Sequence, residues 1–315
     1  MMDIPTFKNI EEAHKLISKY VHHTPVFTSI SVNEIVGAVL YFKAENLQKV
    51  GAFKFRGACN AVFSLSEEDA SKGVVTHSSG NHAAALALAA RLRGIEAHIV
   101  MPENAPEIKK KAVAGYGAII TFCKPTLEAR ESTTARIVDE IGATIIHPYD
   151  NFYVISGQGT AAKELIEEYP DLDIIMAPVG GGGLLSGTAL SSKYLLPACK
   201  VIAAEPLGAD DAYRSFHSKT LIPQENPNTI ADGLLTSLGK RNFSIILDNV
   251  DDIVTVTEEG IIAAMRMIWE RMKIIIEPSS AVPLAAILEK KVEVAGKKIG
   301  IILSGGNVDL GKLPF

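Results

Sequence analysis

Ile174-Ile-Met-Ala-Pro-Val-Gly-Gly-Gly-Gly-Leu-Leu-Ser-Gly187 runs from a short apolar segment into four consecutive glycines and then into a helical pattern. An apolar run of this length that ends in glycine reads as a buried strand, and a strand–glycine loop–helix unit belongs to α/β architecture. Without Cβ atoms the backbone comes close to a ligand, its N–H groups converge, and the helix adds its positive end. The loop therefore reads as an anion cradle suited to phosphate, with a merely tight turn as the plain alternative. A dinucleotide site competes, since Glu205 ends the next strand about 20 residues on, where a ribose-binding acid belongs. The GxGxxG spacing is not met, however, because Leu185 or Ser186 stands where the last glycine or alanine should be. A P-loop fits less well, as Thr188 replaces its lysine.

Outward from this unit, short β-branched runs alternate with longer amphipathic segments, the pattern of a largely parallel sheet. Strands are predicted at 39–43, 74–77, 97–101, 118–122, 144–147, 174–178, 201–204, 253–256 and 299–303. Helices are predicted at 81–93, 106–114, 127–141, 159–168, 184–195, 258–272 and 281–289. Regular units between 69 and 149, followed by an irregular Pro-, Asn-, Asp- and Ser-rich stretch at 206–239, suggest two lobes. In open α/β sheets the chemistry gathers beyond the carboxyl ends of the strands, so the loops that begin at Thr76, Pro178, Ala204 and Ser304 are the ones to read.

With 315 residues, 47% of them hydrophobic, the chain can fill a sizeable core. A net charge of −5 with scattered lysines and arginines excludes the basic stripe that nucleic acid requires. Cys59, Cys123 and Cys199 are far apart and lack CxxC spacing, which speaks against a disulfide framework or a zinc site. The first residues turn acidic and amphipathic at once, unlike a signal peptide, and no apolar run approaches the roughly 18 residues of a membrane span. A cytoplasmic protein acting on a small molecule, with neither membrane nor nucleic acid as partner, is expected.

Three more loops carry chemistry. Thr76-His-Ser-Ser-Gly-Asn-His82 follows a strand and opens an alanine-rich helix, and its hydroxyls, amide and free helix N–H groups suit a carboxylate; the plain reading is a serine cap beside a satisfied histidine. No Ser–Asp partner set marks either histidine as part of a hydrolase triad. Gly300-Ile-Ile-Leu-Ser-Gly-Gly-Asn307 presents Ser304 at a strand end, which by itself is turn chemistry. Glu205-Pro-Leu-Gly-Ala-Asp-Asp211 sets two carboxylates around a turn, an oxygen set for Mg²⁺ or Ca²⁺ or else solvated turn acids.

Gly51-Ala-Phe-Lys-Phe-Arg-Gly57 places one ammonium between two aromatic rings. Desolvation there favours the neutral, nucleophilic amine that Schiff-base chemistry uses, whereas a lysine that snorkels to water would keep its charge. A cofactor with an aldehyde, a phosphate and a pyridine nitrogen would need a lysine, a glycine cradle and a polar partner, and Lys54, Gly180–Gly183 and Ser304 offer these.

GAFKFRGA, THSSGNHA, PVGGGGLLSG, AAEPLGADD, TIADG, WERMKIIIEPSSAV and LSGGNVDL occur in the order found in the fold type II pyridoxal-phosphate enzymes. Over nearly its whole length the chain resembles the serine racemase and serine/threonine dehydratase family. The resemblance implies the tryptophan synthase β-like fold, two open twisted α/β lobes with the smaller inserted in the larger. The large lobe would be 1–68 and 150–315, and the small mobile lobe 69–149. Lys54 would carry pyridoxal 5′-phosphate covalently and act as a base, Phe53 would pack against its ring and Asn81 would bond its 3′-oxygen. Gly180, Gly181, Gly182, Gly183 and the N–H of Leu184 would hold the phosphate, and Ser304 would face the pyridine nitrogen. Ser78, Asn81 and His82, with Ser79 beside them, would take the substrate carboxylate. Glu205, Asp211 and the Ala209 carbonyl match a divalent-cation site for Mg²⁺, Ca²⁺ or Mn²⁺. A homodimer is expected.

Two reactions remain open on these residues. Lys54 alone suffices for β-elimination of water from serine, whereas racemisation needs an acid on the opposite face, and Ser79 matches the serine that racemases use where simple threonine dehydratases carry alanine. Hydroxyaspartate dehydratases that resemble the racemases keep this serine too. The C-terminal regulatory domain of the biosynthetic threonine dehydratases is expected to be lacking, since little follows LSGGNVDL. Ala52 departs from a serine common before the Phe-Lys pair, and Tyr149 stands where mammalian racemases have asparagine, which bears on substrate preference. The loop ADGLLTSLG lacks the serine run of aspartate-specialised racemases, favouring serine as substrate. A dinucleotide-dependent oxidoreductase and a non-catalytic binding module are the alternatives of other classes.

Overall fold

A computed structural model describes residues 3–315. Ten strands form two open sheets: β1 (Val26–Phe27), β2 (Val39–Ala44), β3 (Val74–His77), β4 (Ala97–Pro102), β5 (Ile119–Cys123), β6 (Thr144–Ile145), β7 (Ile174–Pro178), β8 (Lys200–Pro206), β9 (Asp252–Val256) and β10 (Lys298–Leu303). The larger sheet has the order β1-β2-β10-β7-β8-β9 and is parallel except for β1. The smaller, β5-β4-β3-β6, is parallel throughout. β7 lies inside the larger sheet with all five residues buried, which is why it reads as an uninterrupted apolar run.

The strand at 174–178 and the helices at 81–93, 127–141 and 258–272 fall where the sequence predicts them. β6 stops two residues short of the expected 147, because His147 leaves the sheet and its Nδ1 accepts the Asp150 N–H at 3.0 Å. The stretch at 206–239 contains a helix, Asp211–Ser218, that its composition hides. The helix expected from residue 159 begins at Phe152, where Asn151 caps the N–H groups of Tyr153 and Val154 at 2.9 and 3.0 Å.

Glycines inside that long Phe152–Glu168 helix are points of close approach rather than breaks. A Cβ on Gly157 would lie 2.6 Å from the Arg56 carbonyl oxygen, and one on Gly187 would lie 2.5 Å from the Gly159 nitrogen. The helix that starts at Lys54 (Lys54–Phe63) and the helix that leaves the glycine loop (Gly183–Leu195) are therefore both pressed onto one shared helix. This contact sets the lysine and the anion cradle relative to each other.

A buried charge network locks the same region. The Arg56 guanidinium donates to Glu45 at 2.7 and 2.9 Å and to Glu164 at 2.7 Å through two nitrogens. Lys43 donates to Glu164 and to the Thr24 carbonyl, both at 2.7 Å. Burial alone would raise the Glu164 carboxyl, but Arg56 and Lys43 overcome it and hold the group down to about 2. Two cations and two anions close on one another beneath Lys54. Among the described residues no helix is long and apolar enough to cross a membrane.

Candidate active site

The lysine segment is zipped to the turn after β10. Ala52 and Gly305 form an isolated antiparallel bridge, the Phe53 N–H donates to the Ser304 carbonyl at 3.0 Å, and the Gly306 N–H donates to the Gly51 carbonyl at 2.9 Å. The chain enters this bridge through Val50, a β-branched residue at φ 59°. That conformation costs on the order of 1–3 kcal/mol, and such strain collects at functional sites. Asn307 holds it, its Nδ2 donating to the Val50 carbonyl at 2.8 Å.

Lys54 is only partly exposed. Its Nζ donates to the Pro148 carbonyl at 2.8 Å and lies 5.1 Å from the Phe53 ring centre and 6.0 Å from that of Tyr149. Burial pushes the amine down to about 8, with the Glu277 carboxylate partly opposing. The lysine does not snorkel away, and an amine so lowered suits nucleophilic work.

Gly180, Gly181 and Gly182 are buried, and their N–H groups have no acceptor among the described residues. The Gly181 carbonyl points the other way, accepting from the Gly239 N–H at 3.1 Å and from Asn242 Nδ2 at 2.7 Å. Gly182, at φ 89°, turns the chain into the helix that begins at Gly183. Buried donors without partners are rare and costly, and an anion at a helix N-terminus satisfies them. The loop thus fits a phosphate, and with Lys54 it fits pyridoxal phosphate.

The loop after β3 meets the same region from the smaller sheet. Ser78 Oγ accepts the Gly80 N–H at 3.3 Å, whereas the half-buried Ser79 hydroxyl has no partner among the described residues. Asn81 Nδ2 reaches both Glu277 oxygens at 3.0 and 3.1 Å, and its Oδ1 accepts from Asn307 Nδ2 at 2.9 Å. The His82 ring is buried, its Nε2 engages the Ile146 carbonyl at 3.1 Å, and burial with the neighbouring Lys54 pushes it down to about 3. A neutral ring so placed leaves only the backbone N–H of His82, on the first turn of its helix, free for a carboxylate.

Glu277 and Ser280 are absent from the residues that sequence reasoning singles out. Glu277 holds the N-cap position of the Pro278–Leu288 helix without a capping side-chain bond, accepts the Asn307 N–H at 3.2 Å, and is pushed up by burial to about 7, with Asn81 opposing. Ser280 Oγ lies 3.1 Å from the buried Ser304 Oγ. An acid before a proline at a helix start was the visible signal for Glu277; nothing marks Ser280.

Glu205 and Asp211 come together, fully buried. Glu205 accepts the N–H groups of Ala212 and Tyr213 at 3.2 and 2.8 Å, and Asp211 Oδ2 accepts the Leu238 N–H at 2.7 Å while Oδ1 has no partner. Burial and then the nearby Asp211 push Glu205 well up, and burial pushes Asp211 up to about 6. Buried Ala209 lies in the turn between them. No group of three or more His, Cys, Asp or Glu side chains able to hold a metal occurs among the described residues, so a cation here would rest on two carboxylates, carbonyl oxygen and water. Glu205 faces inward onto backbone N–H groups, which is no place for a ribose, and the dinucleotide reading is set aside.

The fold and the lysine–glycine-loop site define a fold type II pyridoxal-phosphate enzyme. The family model described as "Pyridoxal-phosphate dependent enzyme" matches residues 17–305, and the chain belongs to that family, in its serine racemase and dehydratase branch. It is 57% identical over 312 residues to a serine racemase of Dictyostelium discoideum, covering 98% of this chain and 96% of the relative. It is 50% identical to a beta-hydroxyaspartate dehydratase of Paracoccus denitrificans over the full length of both. The crystal structure of the Dictyostelium discoideum serine racemase superposes with a TM-score of 0.94 at 58% identity, covering 97% and 99% of the two chains. Relatives of both activities stand at 50% identity or more, so membership establishes a racemase or ammonia-lyase without choosing between them.

Proposed function

We propose that the chain interconverts L- and D-serine and also dehydrates serine to pyruvate and ammonia. The observations that carry this reading are Lys54, half-buried with its amine pushed down to about 8, and Ser79, whose hydroxyl has no partner among the described residues. When bound, pyridoxal phosphate supplies the electron sink that acidifies the Cα–H bond. Lys54 anchors it, with Phe53 against the ring, Asn81 at the 3′-oxygen, Gly180 to Gly183 and the Leu184 N–H at the phosphate, and Ser304 at the pyridine nitrogen. Ser78, Asn81 and the His82 N–H hold the substrate carboxylate, and the amine of Lys54 takes the Cα proton from one face. Return of a proton from Ser79 on the other face inverts the centre. Departure of the β-hydroxyl with a proton, as water, followed by hydrolysis, yields pyruvate and ammonia.

Residues 69–149 form the mobile lobe in this reading, closing over the substrate and excluding water, while 1–68 and 150–315 form the base. Glu205, Asp211 and the Ala209 carbonyl hold a divalent cation, Mg²⁺ first. A homodimer in the cytoplasm completes the proposal. A second reading, an ammonia-lyase for 3-hydroxyaspartate, serine or threonine without racemase activity, is favoured by the relative named beta-hydroxyaspartate dehydratase.

Ser79→Ala tests between them. Pyruvate formation from L-serine should survive, and D-serine formation, followed by chiral chromatography, should fall by about 10²–10⁴, the usual worth of an acid–base group. Racemisation at the original rate would sink the two-face assignment. Absence of D-serine from the unaltered enzyme, with pyruvate formed from threo-3-hydroxyaspartate, would establish the second reading.

A further inference from the structure

Ser280, on the first turn of the Pro278–Leu288 helix, is fully buried behind Ser304. Its Oγ accepts the Gly305 N–H at 2.7 Å, donates to the Gly305 carbonyl at 2.7 Å and lies 3.1 Å from Ser304 Oγ. A hydroxyl has one proton and two lone pairs. The Gly305 N–H occupies one lone pair, which leaves one proton and one lone pair for two neighbours. If the proton stays on the Gly305 carbonyl, Ser304 must donate to Ser280 and can show only lone pairs elsewhere. If it turns to Ser304, the Ser304 proton is free to point outward. The carbonyl can release it, because the Glu277 N–H already reaches that oxygen at 3.0 Å.

We propose that Ser280 is a positioning residue for the cofactor: on loading, it donates to Ser304 and so commits the Ser304 proton to the pyridine nitrogen. The inference rests on the reading of Ser304 as the partner of that nitrogen. A buried pyridinium would need an anion, and the carboxyl beside Gly305, Glu277, is already engaged by Asn81 and the Asn307 N–H. A neutral ring nitrogen needs a donor. Ser304 can be that donor and keep its contact with Ser280 only if Ser280 supplies the proton between them. Two hydroxyls in series also polarise one another, which strengthens the outer bond.

The test uses holoenzyme loaded with pyridoxal phosphate carrying ¹⁵N in the ring, with the ¹⁵N shift and the cofactor dissociation constant as readouts. In Ser280→Ala the resonance should move toward that of an unbonded pyridine nitrogen, and the dissociation constant should rise about 2- to 10-fold, the worth of one hydrogen bond. Ser280→Cys, which keeps the size but donates weakly, should behave alike and serves if the alanine variant does not fold. Ser304→Ala should move the resonance further, and adding Ser280→Ala to it should change nothing more. An unmoved resonance and affinity in the Ser280 variants, with a shift in Ser304→Ala, overturns the relay and leaves the Ser304 reading intact. An equal effect of Ser280→Ala with and without Ser304 also overturns it, since the influence then runs through the backbone. No shift in Ser304→Ala would mean that Ser304 does not meet the nitrogen at all.

Discussion

Two clusters of buried carboxylates lie in this protein, and although burial raises both, their partners leave them shifted in opposite directions. Glu45 and Glu164 face Arg56 and Lys43, every charge has a counter-charge, and Glu164 is held down to about 2. Glu205 and Asp211 are just as buried but among the described residues have no cation in contact, the Asp211 Oδ1 lacks a partner there, and both groups are pushed up. The first cluster is complete without a ligand and serves as architecture under Lys54. The second is incomplete as it stands, which is what the proposed cation would remedy.

The largest expected effect breaks the closed cluster. Arg56→Met leaves Glu45 and Glu164 buried without a guanidinium, and urea unfolding should show a loss of about 3–5 kcal/mol, the usual cost of stranding a buried charge. A loss below about 1 kcal/mol would mean that the network does not anchor the lysine helix.

Removing divalent cations probes the open cluster. Without a cation, Asp211 keeps its proton to about 6 against an ordinary 3.8, so the folded chain binds a proton that the unfolded chain releases. That contribution is fully present below about pH 4 and is lost as pH rises through about 6, on the order of 3 kcal/mol. With EDTA the melting temperature should therefore fall between pH 4.5 and 7.5, and Mg²⁺ or Ca²⁺ should restore it at the upper end. A melting curve indifferent to chelator at pH 7.5 would reduce this pair to ordinary turn acids.

The smallest effect sharpens the comparison by moving the charge to the surface. Lys109, half-buried on the Glu107–Gly115 helix, meets the exposed Asp232 at 2.5 Å. Lys109→Gln should cost about 0.2–1 kcal/mol in thermal unfolding, shrinking in high salt. A cost rivalling that of Arg56→Met would show that pairing, rather than burial, sets these energies.

Much of the frame was legible because its signals are local. The helices at 81–93, 127–141 and 258–272 and the strand at 174–178 were readable from periodicity and end signals within each segment. The glycine loop and Lys54 stood out because their residue types are costly unless something needs them. The start of the Phe152–Glu168 helix was missed because its glycines answer to backbones of other helices, at Arg56 and Gly187. Tyr149, on sequence only a departure from the racemase pattern, proves to flank Lys54.

The sequence by itself determined the class of fold and the family and singled out Lys54 as the candidate lysine, since these are written in residue types and short spacings. Only the tertiary structure decided how that lysine is held. Arg56 meets Glu164 across 108 positions, Asn81 meets Glu277 across 196, and Ser280 meets Ser304 from a different element. Hydrogen bonds and buried charges depend on distances of about 3 Å. Positions so far apart in the chain acquire such distances only when both sheets and the helices between them have packed.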